Sequence, residues 1–497
     1  MNQIRRGALL SYFNLGINIL IGLIYTPWMI KSIGQSDYGL YTLAMSLIGL
    51  LAFDFGLGNA TTKFVCEYLA QGRQDKVDAL LGMTFKIYLL LDLIILGIFL
   101  TIYIYLPLIY DGLSPSELAA FKTVFIITAT FCLLSFPFIT ANGILTSYEK
   151  FVQLKSCDLF QRIFTVVTMA ICLLCSYGLL SLVIVNSVAG ILTTIIKLLV
   201  IKKDTPLKIN FSFWSKTEFR KIVSFVIWIS IIALAQRCIF NIAPSIMAFF
   251  ANADVVAILG VAITIESYTY LFTNALGGMF LPRVSKIVAN NDITEFNRLF
   301  IRVGRLEVYV CMFILIWYVV FGSNFITLWV GNTYSLAYYS ALLFIIPAVI
   351  HIPHEIGMQY LIATNKVKSQ AKIFTIMALI NLILSFPLTK YYGVIGLSLS
   401  IFIAYIIRTI SLDIYFHHKL HINILHFYYK SYIVQIIPFL AITICFYLIN
   451  LIEIDGWTGL IIKSIVAALS YVELVFLFCT NKDEKELVRS LLRIKHN

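Results

Sequence analysis

Charged residues are scarce in this chain of 497 residues. They make up 12% of it, against roughly 25% in an average soluble domain, while 60% of the residues are hydrophobic. Long polar segments are also missing, so there is no room for a soluble domain of the usual ~100 residues or more. The composition excludes a soluble globular protein and predicts that the whole chain is an integral membrane protein.

The sequence motifs of nucleotide chemistry and of nucleophilic catalysis are absent as well. The chain has no P-loop, no nucleophile elbow and no glycine-rich nucleotide fingerprint. The connections between its apolar stretches are too short to hold a catalytic domain. We therefore expect no enzymatic activity, no cofactor and no metal site, and any transport would use an ion gradient, the membrane potential or the gradient of the substrate.

Apolar stretches follow one another along the chain. A helix needs about 20 residues to cross the ~30 Å of hydrocarbon in a bilayer. We count fourteen such stretches, with approximate limits at 8–30, 38–58, 80–106, 118–142, 152–176, 179–200, 219–245, 254–279, 303–326, 335–361, 370–389, 394–416, 431–450 and 458–479. The predicted fold is an all-α polytopic membrane protein with about 14 transmembrane helices.

Lysine and arginine are distributed very unevenly among the connections. One side of the predicted membrane carries seven cations between Lys197 and Lys221 and five in the C-terminal tail, among others, whereas the opposite loops hold only Lys31 and Lys390. Because cytoplasmic loops retain positive charge, both termini are predicted to be cytoplasmic. We interpret the net charge of +12 as this topology signal together with attraction to anionic membrane lipids, and not as nucleic-acid binding.

Two halves of the chain repeat one pattern at an offset of 215 to 217 residues. The matched positions are Pro27 and Pro244, Asp37 and Asp254, Pro137 and Pro353, Lys150 and Lys366, and Tyr177-Gly178 and Tyr392-Gly393. We predict two parallel six-helix repeats, an N-lobe at 1–200 and a C-lobe at 219–416, joined by a basic linker at 201–218. An added helix pair and a cytoplasmic tail follow at 417–497. The matched prolines mark either bends around a cavity between the lobes or simple kinks.

Polar side chains form stripes on three of the predicted spans. Helical spacing places the polar residues of each span on one face. In the first span they are Ser11, Asn14, Asn18 and Tyr25, and in the seventh they are Ser230, Arg237 and Asn241. In the eighth span they are Glu266, Thr269, Tyr270 and Thr273, with Asn274 beside them. Stripes of this length should not face lipid. We expect them to line a polar lumen between the lobes.

The charged residues in the spans allow more than one interpretation. For Arg237 the alternatives are contact with an anionic ligand, an ion pair with Glu266, or extension to the lipid surface. For Arg162 they are contact with a ligand or an ion pair with Asp158, one turn away. His351, His354 and Glu355 on the tenth span are either linked to protonation or are ordinary polar contacts. For coupling to an ion, the candidates are Glu266, Asp92, His351 and Glu355.

Two segments around the second span form a recognisable motif. Ile33–Tyr41 reads IGQSDYGLY, and Asp54–Ala60 reads DFGLGNA and is followed by Lys63-Phe64-Val65. The motif resembles that of the polysaccharide transporter family, which includes the Wzx-type O-antigen flippases of the MATE-like MOP exporter superfamily. The predicted duplicated core and terminal helix pair extend this resemblance over the whole chain.

The resemblance implies a function and a set of partners. It implies translocation of an undecaprenyl-diphosphate-linked oligosaccharide across the bacterial cytoplasmic membrane by alternating access, with proton or sodium coupling and the polysaccharide polymerase machinery as further expected partners. Arg237 and Arg162 would meet the diphosphate. The side chains expected to hydrogen-bond sugar hydroxyls are Asn14, Asn18, Asn241, Tyr270 and Asn274.

Three other functions remain open at this point. A cation-coupled multidrug exporter of the same superfamily is expected to have twelve spans and an acidic residue in the first, whereas this chain has fourteen predicted spans and no acid in the first. A membrane-embedded glycosyltransferase or polymerase needs catalytic acids on a large external loop, and the external loops here are short. A lipid scramblase without ion coupling is compatible with the sequence.

Overall fold

The computed structural model describes residues 2–51, 55–277, 280–290, 292–364, 366–481 and 484–485. These residues form α-helices joined by short turns, and no β-strand occurs among them. Eleven helical segments in the described ranges are long and apolar enough to cross a membrane. The prediction of an all-α polytopic membrane protein is therefore confirmed. Asp54 of the sequence motif lies outside the described residues.

The helices also accommodate the predicted number of spans. The segment Val367–Leu420 counts as one helix of 54 residues, but Gly393 interrupts it with φ 56° and ψ −134°, a conformation that favours glycine. It therefore covers the two predicted spans at 370–389 and 394–416. α1 (Asn2–Ile33) covers the first predicted span, and α2 (Gln35–Leu51) covers the second as far as Leu51. The exact number of fourteen stays a prediction.

The chain divides into two compact units. The first unit contains 1–260 and 374–400, and the second contains 261–373 and 401–497. This division follows contacts in space, and the predicted lobes at 1–200 and 219–416 stay a prediction about the repeat.

Helices of the first unit account for the N-terminal half of the chain. After α1 and α2 they are α3 (Leu57–Ala70), α4 (Gln74–Ile109), α5 (Pro115–Ser135), α6 (Thr140–Ser147), α7 (Phe151–Leu174), α8 (Leu179–Asp204), α9 (Lys216–Phe240), α10 (Ala243–Phe250) and the start of α11 (Ala253–Gly277). The unit also contains 374–400, the middle of the helix Val367–Leu420.

The second unit begins within α11. Its further helices are α12 (Leu281–Ala289), α13 (Ile293–Trp329), α14 (Ser335–His351), α15 (Glu355–Ala363), the two ends of α16 (Val367–Leu420), α17 (Ile424–Ser431), α18 (Ile436–Asn450) and α19 (Gly456–Leu474), which a π-helical turn at Val475–Cys479 extends.

One pair of prolines that match in sequence has the same local structure at both positions. Pro137 lies in a 3-10 turn, Phe136–Phe138, between α5 and α6, and Pro353 lies in a 3-10 turn, Ile352–His354, between α14 and α15. Pro27 and Pro244 differ, because Pro27 lies inside the continuous α1 whereas Pro244 lies in the first turn of α10. A proline in the first turn costs no helical hydrogen bond, since its missing N–H has no partner there.

Apolar side chains lie both inside and outside the units. In the first unit the interior holds fully buried side chains such as Leu43, Phe121 and Leu182. On α4 and α18, by contrast, many large apolar side chains are exposed, among them Leu93, Leu108, Ile437 and Leu440. An apolar surface this extensive is expected only where lipid replaces water as the solvent.

The motif Ile33–Tyr41 has a structural role within the first unit. Gly34, at φ 89°, separates α1 from α2. Ser36 Oγ donates to Glu117 Oε1 at 2.9 Å, and the same carboxylate oxygen accepts from the backbone N–H of Ala253 at 3.2 Å. At Gly39 a Cβ atom would overlap the Ala253 carbonyl. The motif thus fixes the beginning of α2 to the beginnings of α5 and α11.

Candidate functional site

Arg162 lies at the middle of a membrane-spanning helix. It occupies the centre of α7, about 17 Å from either end at 1.5 Å per residue. A guanidinium keeps its charge at any physiological pH, and a charge near the centre of a bilayer is costly unless it faces protein or a ligand. The position of Arg162 therefore requires polar surroundings inside the protein.

Two tyrosines of neighbouring helices supply part of those surroundings. Tyr25 of α1 and Tyr41 of α2 both lie within electrostatic range of the Arg162 guanidinium. The Tyr25 hydroxyl and Arg162 Nε are buried, and neither has a hydrogen-bond partner among the described residues. A buried polar group without a partner costs about 1–3 kcal/mol. Two such groups in one place indicate a site that a polar ligand would satisfy.

Asp158 does not pair with Arg162, contrary to one of our interpretations of the sequence. Its Oδ1 lies 2.8 Å from Nζ of Lys197 in α8, and its Oδ2 lies 3.7 Å from Lys155. Lys197 also donates to Asn142 Oδ1 at 2.9 Å. The reason is that Lys197 is only 9% exposed and needs a counter-charge. Within the described ranges no carboxylate lies at ion-pair distance from Arg162.

Arg237 approaches the same helix, α2, at a different level. Its NH1 donates to the Gly49 carbonyl, the Asn241 amide lies against Gly49, and Ser230 Oγ donates to the Phe55 carbonyl. Ser230 and Arg237 of α9 and Asn241 directly after it share one face, as their spacing predicts, and that face packs on α2 and the turn after it. Gly49 follows Tyr41 by two helical turns, about 12 Å. Arg162 and Arg237 therefore meet α2 about two turns apart.

Several predicted residues come together in the second unit. Tyr270, His351 and Glu355 all lie within electrostatic range of Arg408 on α16. Glu266 lies within the same range of Tyr270. The Arg408 guanidinium stacks over the ring of Tyr405, 5.0 Å from its centroid. Arg408 is only 3% exposed, so this is a buried cluster on membrane-spanning helices.

Two further carboxyl groups belong to this cluster. Asp413 Oδ1 lies 3.2 Å from His354 Nδ1, and Asp413 Oδ2 accepts a hydrogen bond of 2.7 Å from the Tyr428 hydroxyl. Glu307 of α13 lies within electrostatic range of Glu355 and is 1% exposed. Its Oε2 has no hydrogen-bond partner in the described part of the chain.

The charges of this cluster do not balance when every carboxyl group is ionised. It contains four carboxyl groups, one arginine and two imidazoles, which belong to Glu266, Glu307, Glu355, Asp413, Arg408, His351 and His354. One guanidinium compensates one carboxylate, and buried unpaired charges are costly. The cluster can therefore take up protons or a cation. The described residues contain no group of His, Cys, Asp and Glu arranged to hold a metal ion.

The remaining predicted site residues lie apart from these two places or cannot be located. Asp92 is half-buried on α4 near Cys132 of α5, and its Oδ1 is buried without a hydrogen-bond partner among the described residues. Asn18 is half-buried on the same face of α1 as Tyr25, two turns away. The side chains of Asn14 and Asn274 lie outside those that the structure describes.

Four residues of these sites were not predicted from the sequence as site residues. Lys197 appears in the sequence analysis only as a cytoplasmic loop cation, and Arg408 is not among its candidate residues. Glu307 lies within the limits of the ninth predicted span, so a stricter search of that span would have found it. Asp413 also lies within its span, one turn of helix beyond Arg408.

Comparison with known proteins agrees with this architecture. A sequence model of the family described as "Polysaccharide biosynthesis protein" matches residues 4–288, which is more than half of the chain. A curated Shigella dysenteriae protein, named as a candidate O-antigen transporter, is 27% identical over 175 residues. That alignment covers 35% of this chain and 43% of the relative, so it spans less than half the length of that protein.

Solved structures of membrane transporters share the fold. The lipid II flippase MurJ, in an inward closed conformation, matches with a TM-score of 0.69 at 16% identity, over 95% of this chain and 98% of that chain. An inward-facing MATE multidrug resistance transporter matches with a TM-score of 0.64 at 13% identity, over 78% and 95%. A mutant of the Vibrio cholerae MATE transporter VcmN matches with a TM-score of 0.60 at 14% identity, over 84% and 97%.

Family and fold now rest on independent observations. The family match covers residues 4–288, and the structural matches extend over most of the chain. The membrane-spanning helices agree with both. The chain therefore belongs to the polysaccharide biosynthesis protein family and has the fold of the MOP superfamily transporters.

Proposed function

We propose that the protein is a flippase that moves an undecaprenyl-diphosphate-linked oligosaccharide from the cytoplasmic to the outer leaflet of the bacterial inner membrane by alternating access. The observation that supports this most is Arg162, a cation at the centre of a membrane span with no carboxylate at ion-pair distance in the described ranges. Its family and its fold point in the same direction. An anionic substrate would compensate the positive charge of Arg162.

A diphosphate fits the chemistry around Arg162. Guanidinium groups bind phosphate oxygens through paired N–H donors, and such charge-assisted hydrogen bonds are roughly twice as strong as neutral ones. The buried Tyr25 hydroxyl offers a further donor beside Arg162. Arg237 meets α2 about two turns away, which is farther than the two phosphates of one diphosphate lie apart, and it would contact the first sugar. The prenyl tail of such a substrate would stay in the lipid.

Amide and hydroxyl side chains would bind the sugar part of the substrate. Sugar hydroxyls are both donors and acceptors, and amide and hydroxyl side chains match them without a cost in charge. The residues that we propose for this role are Asn14, Asn18, Asn241, Tyr270 and Asn274. We propose in addition that both termini are cytoplasmic, because the positive charge is concentrated on that side of the predicted membrane.

Deleting the gene in the producing bacterium tests the proposed function. We expect the surface polysaccharide to disappear and the lipid-linked oligosaccharide to accumulate in the inner membrane, as measured by glycan staining and by mass spectrometry of extracted lipids. Susceptibility to cationic drugs is measured in the same strain. Normal surface glycan together with raised drug susceptibility would favour the multidrug exporter and contradict our proposal.

We further propose that the cluster around Arg408 couples transport to an ion gradient. Carboxyl groups that cannot all be ionised together bind protons or a cation, and a conformational change that alters their burial would change this binding. Glu266 and Glu355 are half-buried, and so more accessible than Glu307. Asp92 and His351 stay alternative coupling residues.

Substitution of Glu355 by glutamine tests the coupling role. We expect the Glu355→Gln variant to keep its fold, because the two side chains are nearly isosteric, and to lose the dependence of transport on the pH or sodium gradient. Transport by the wild type and by the variant is measured in proteoliposomes with each gradient imposed separately, and Glu453→Gln, in the exposed turn between α18 and α19, is the control. Equal gradient dependence in all three proteins would remove the coupling role from this cluster.

A further inference from the structure

A basic pocket lies at the N-terminal end of α13, within the second unit. It has a volume of about 520 Å³ and is lined by α13, by α17 with the turn before it, and by the last described residues of the chain. Its charged lining residues are Arg298, Arg302, Arg305, His426, Lys430 and Glu484. None of these residues takes part in the two sites described above.

The floor of the pocket is a closed network of hydrogen bonds. Arg305 Nε donates to Glu484 Oε1 at 2.9 Å, and NH1 donates to the Lys430 carbonyl at 2.9 Å. Its NH2 donates to the Tyr309 hydroxyl at 2.7 Å and to the Cys479 carbonyl at 2.9 Å. Glu484 and Arg305 are each almost completely buried. Among the described residues Glu484 is the only acid that lines the pocket, and Arg305 neutralises it.

The wall of the pocket is also fixed. The backbone N–H of Asn423 donates to Asn297 Oδ1 at 2.8 Å, which joins the start of α17 to the first turns of α13. Asn297 Nδ2 donates in turn to the His421 carbonyl at 3.4 Å. The pocket thus has a built framework and does not depend on the positions of mobile surface side chains alone.

Arg298 and Arg302 give the pocket an uncompensated positive charge. They are exposed, lie one turn apart on α13, and have no carboxylate at ion-pair distance among the described residues. The nearby Glu295 lies 3.8 Å from Arg283 instead. Like charges one turn apart on a helix repel each other. Their common pocket with Lys430 would be more stable with an anion bound.

We propose that this pocket binds the phosphate group of an anionic membrane lipid, through Arg298, Arg302 and Lys430. The pocket lies beside the part of α13 that precedes the predicted span at 303–326. This part of the helix is expected at the level of the lipid head groups. Only the choice of the cytoplasmic leaflet depends on the proposed orientation. A soluble phosphate compound has the same chemistry, and the test separates the two sources.

Lipid binding to the purified full-length protein in neutral detergent tests this proposal. Phosphatidylglycerol, phosphatidylcholine and inorganic phosphate are titrated separately, and binding is measured by native mass spectrometry and by the shift in thermal unfolding. At about 1 kcal/mol per cation, the Arg298→Gln, Arg302→Gln double variant should need on the order of 30-fold more phosphatidylglycerol for half-saturation. The matched control is Lys202→Gln, Lys203→Gln, which removes two exposed cations from the end of α8.

Each outcome of the titrations has a defined meaning. Arginine-dependent saturation by phosphatidylglycerol alone supports a lipid head group, and the same saturation by inorganic phosphate supports a phosphate site filled from solution. Arg298→Lys, Arg302→Lys should keep most of the affinity. Two results would overturn the proposal. One is an affinity of the Arg298→Gln, Arg302→Gln variant equal to that of the wild type. The other is an equal loss of affinity in this variant and in the Lys202→Gln, Lys203→Gln control. The assay needs no transport, so failure of the proposed function would leave this result unaffected.

Discussion

Substitution of Arg162 by glutamine should lower the amount of surface glycan at least about tenfold, while the amount of the protein in the membrane stays near that of the wild type. A hydrogen bond to a charged group contributes about 1.5–3 kcal/mol, which corresponds to roughly 10- to 150-fold in binding. Glutamine keeps a polar side chain but removes the charge that a diphosphate needs. Glycan staining and immunoblotting of membranes measure the two quantities.

Two further variants separate binding from folding in this experiment. Arg162→Lys keeps a charge without the planar fork and should restore part of the export. Lys155→Gln removes a cation from the same helix, where the half-exposed ammonium lies 3.7 Å from Asp158, and should leave export near normal because exposed ion pairs contribute little. Export by Arg162→Gln equal to that of the wild type would contradict a role of Arg162 in substrate binding.

Substitution of Arg305 by alanine should lower the stability of the protein by about 3–5 kcal/mol. The guanidinium donates to Glu484, the Tyr309 hydroxyl and two backbone carbonyls, so each of these buried groups would lose one donor and Glu484 would lose its counter-charge. The backbone N–H of Asn481 donates to Glu484 Oε2 at 2.9 Å, and this hydrogen bond would be weakened if Glu484 moved. Thermal unfolding of the purified variant in detergent measures the effect.

A double-mutant cycle tests whether this loss comes from the Arg305–Glu484 pair. The double variant Arg305→Ala, Glu484→Ala should be less destabilised than the sum of the two single variants, because no unpaired charge remains. Arg302→Ala, one turn before Arg305 and exposed, is the matched control and should change stability by less than about 0.5 kcal/mol. A single Arg305→Ala variant as stable as this control would contradict the description of the network.

The sequence predicted the fold in the places where one physical rule dominates. The length of apolar stretches and the scarcity of charge are sufficient to recognise membrane-spanning helices, because the bilayer has a fixed thickness. Pro137 and Pro353 match in sequence and also in local structure, since both lie in a 3-10 turn between two helices. Pro27 and Pro244 match in sequence but not in local structure, since spacing alone does not reveal whether a helix continues past a proline.

The partners of the charged residues could not be predicted from the sequence. Asp158 and Arg162 have the spacing of an ion pair on a helix, yet Asp158 pairs with Lys197 of another helix. Likewise the surroundings of Arg408 come from α11, α14, α15 and α16, whose packing fixes which groups meet. Residue types and depth along a span are readable from sequence, whereas the direction of a side chain toward a second helix depends on packing.

Transfer of a fluorescent undecaprenyl-diphosphate-linked oligosaccharide between the leaflets of proteoliposomes tests the central claim most directly. The purified protein and its Arg162→Gln variant are reconstituted at equal density, and labelled lipid in the outer leaflet is quenched with a membrane-impermeant reductant over time. We predict that the wild type transfers the lipid faster than protein-free vesicles and at least about tenfold faster than the variant. Transfer by the wild type at the rate of protein-free vesicles would contradict the account.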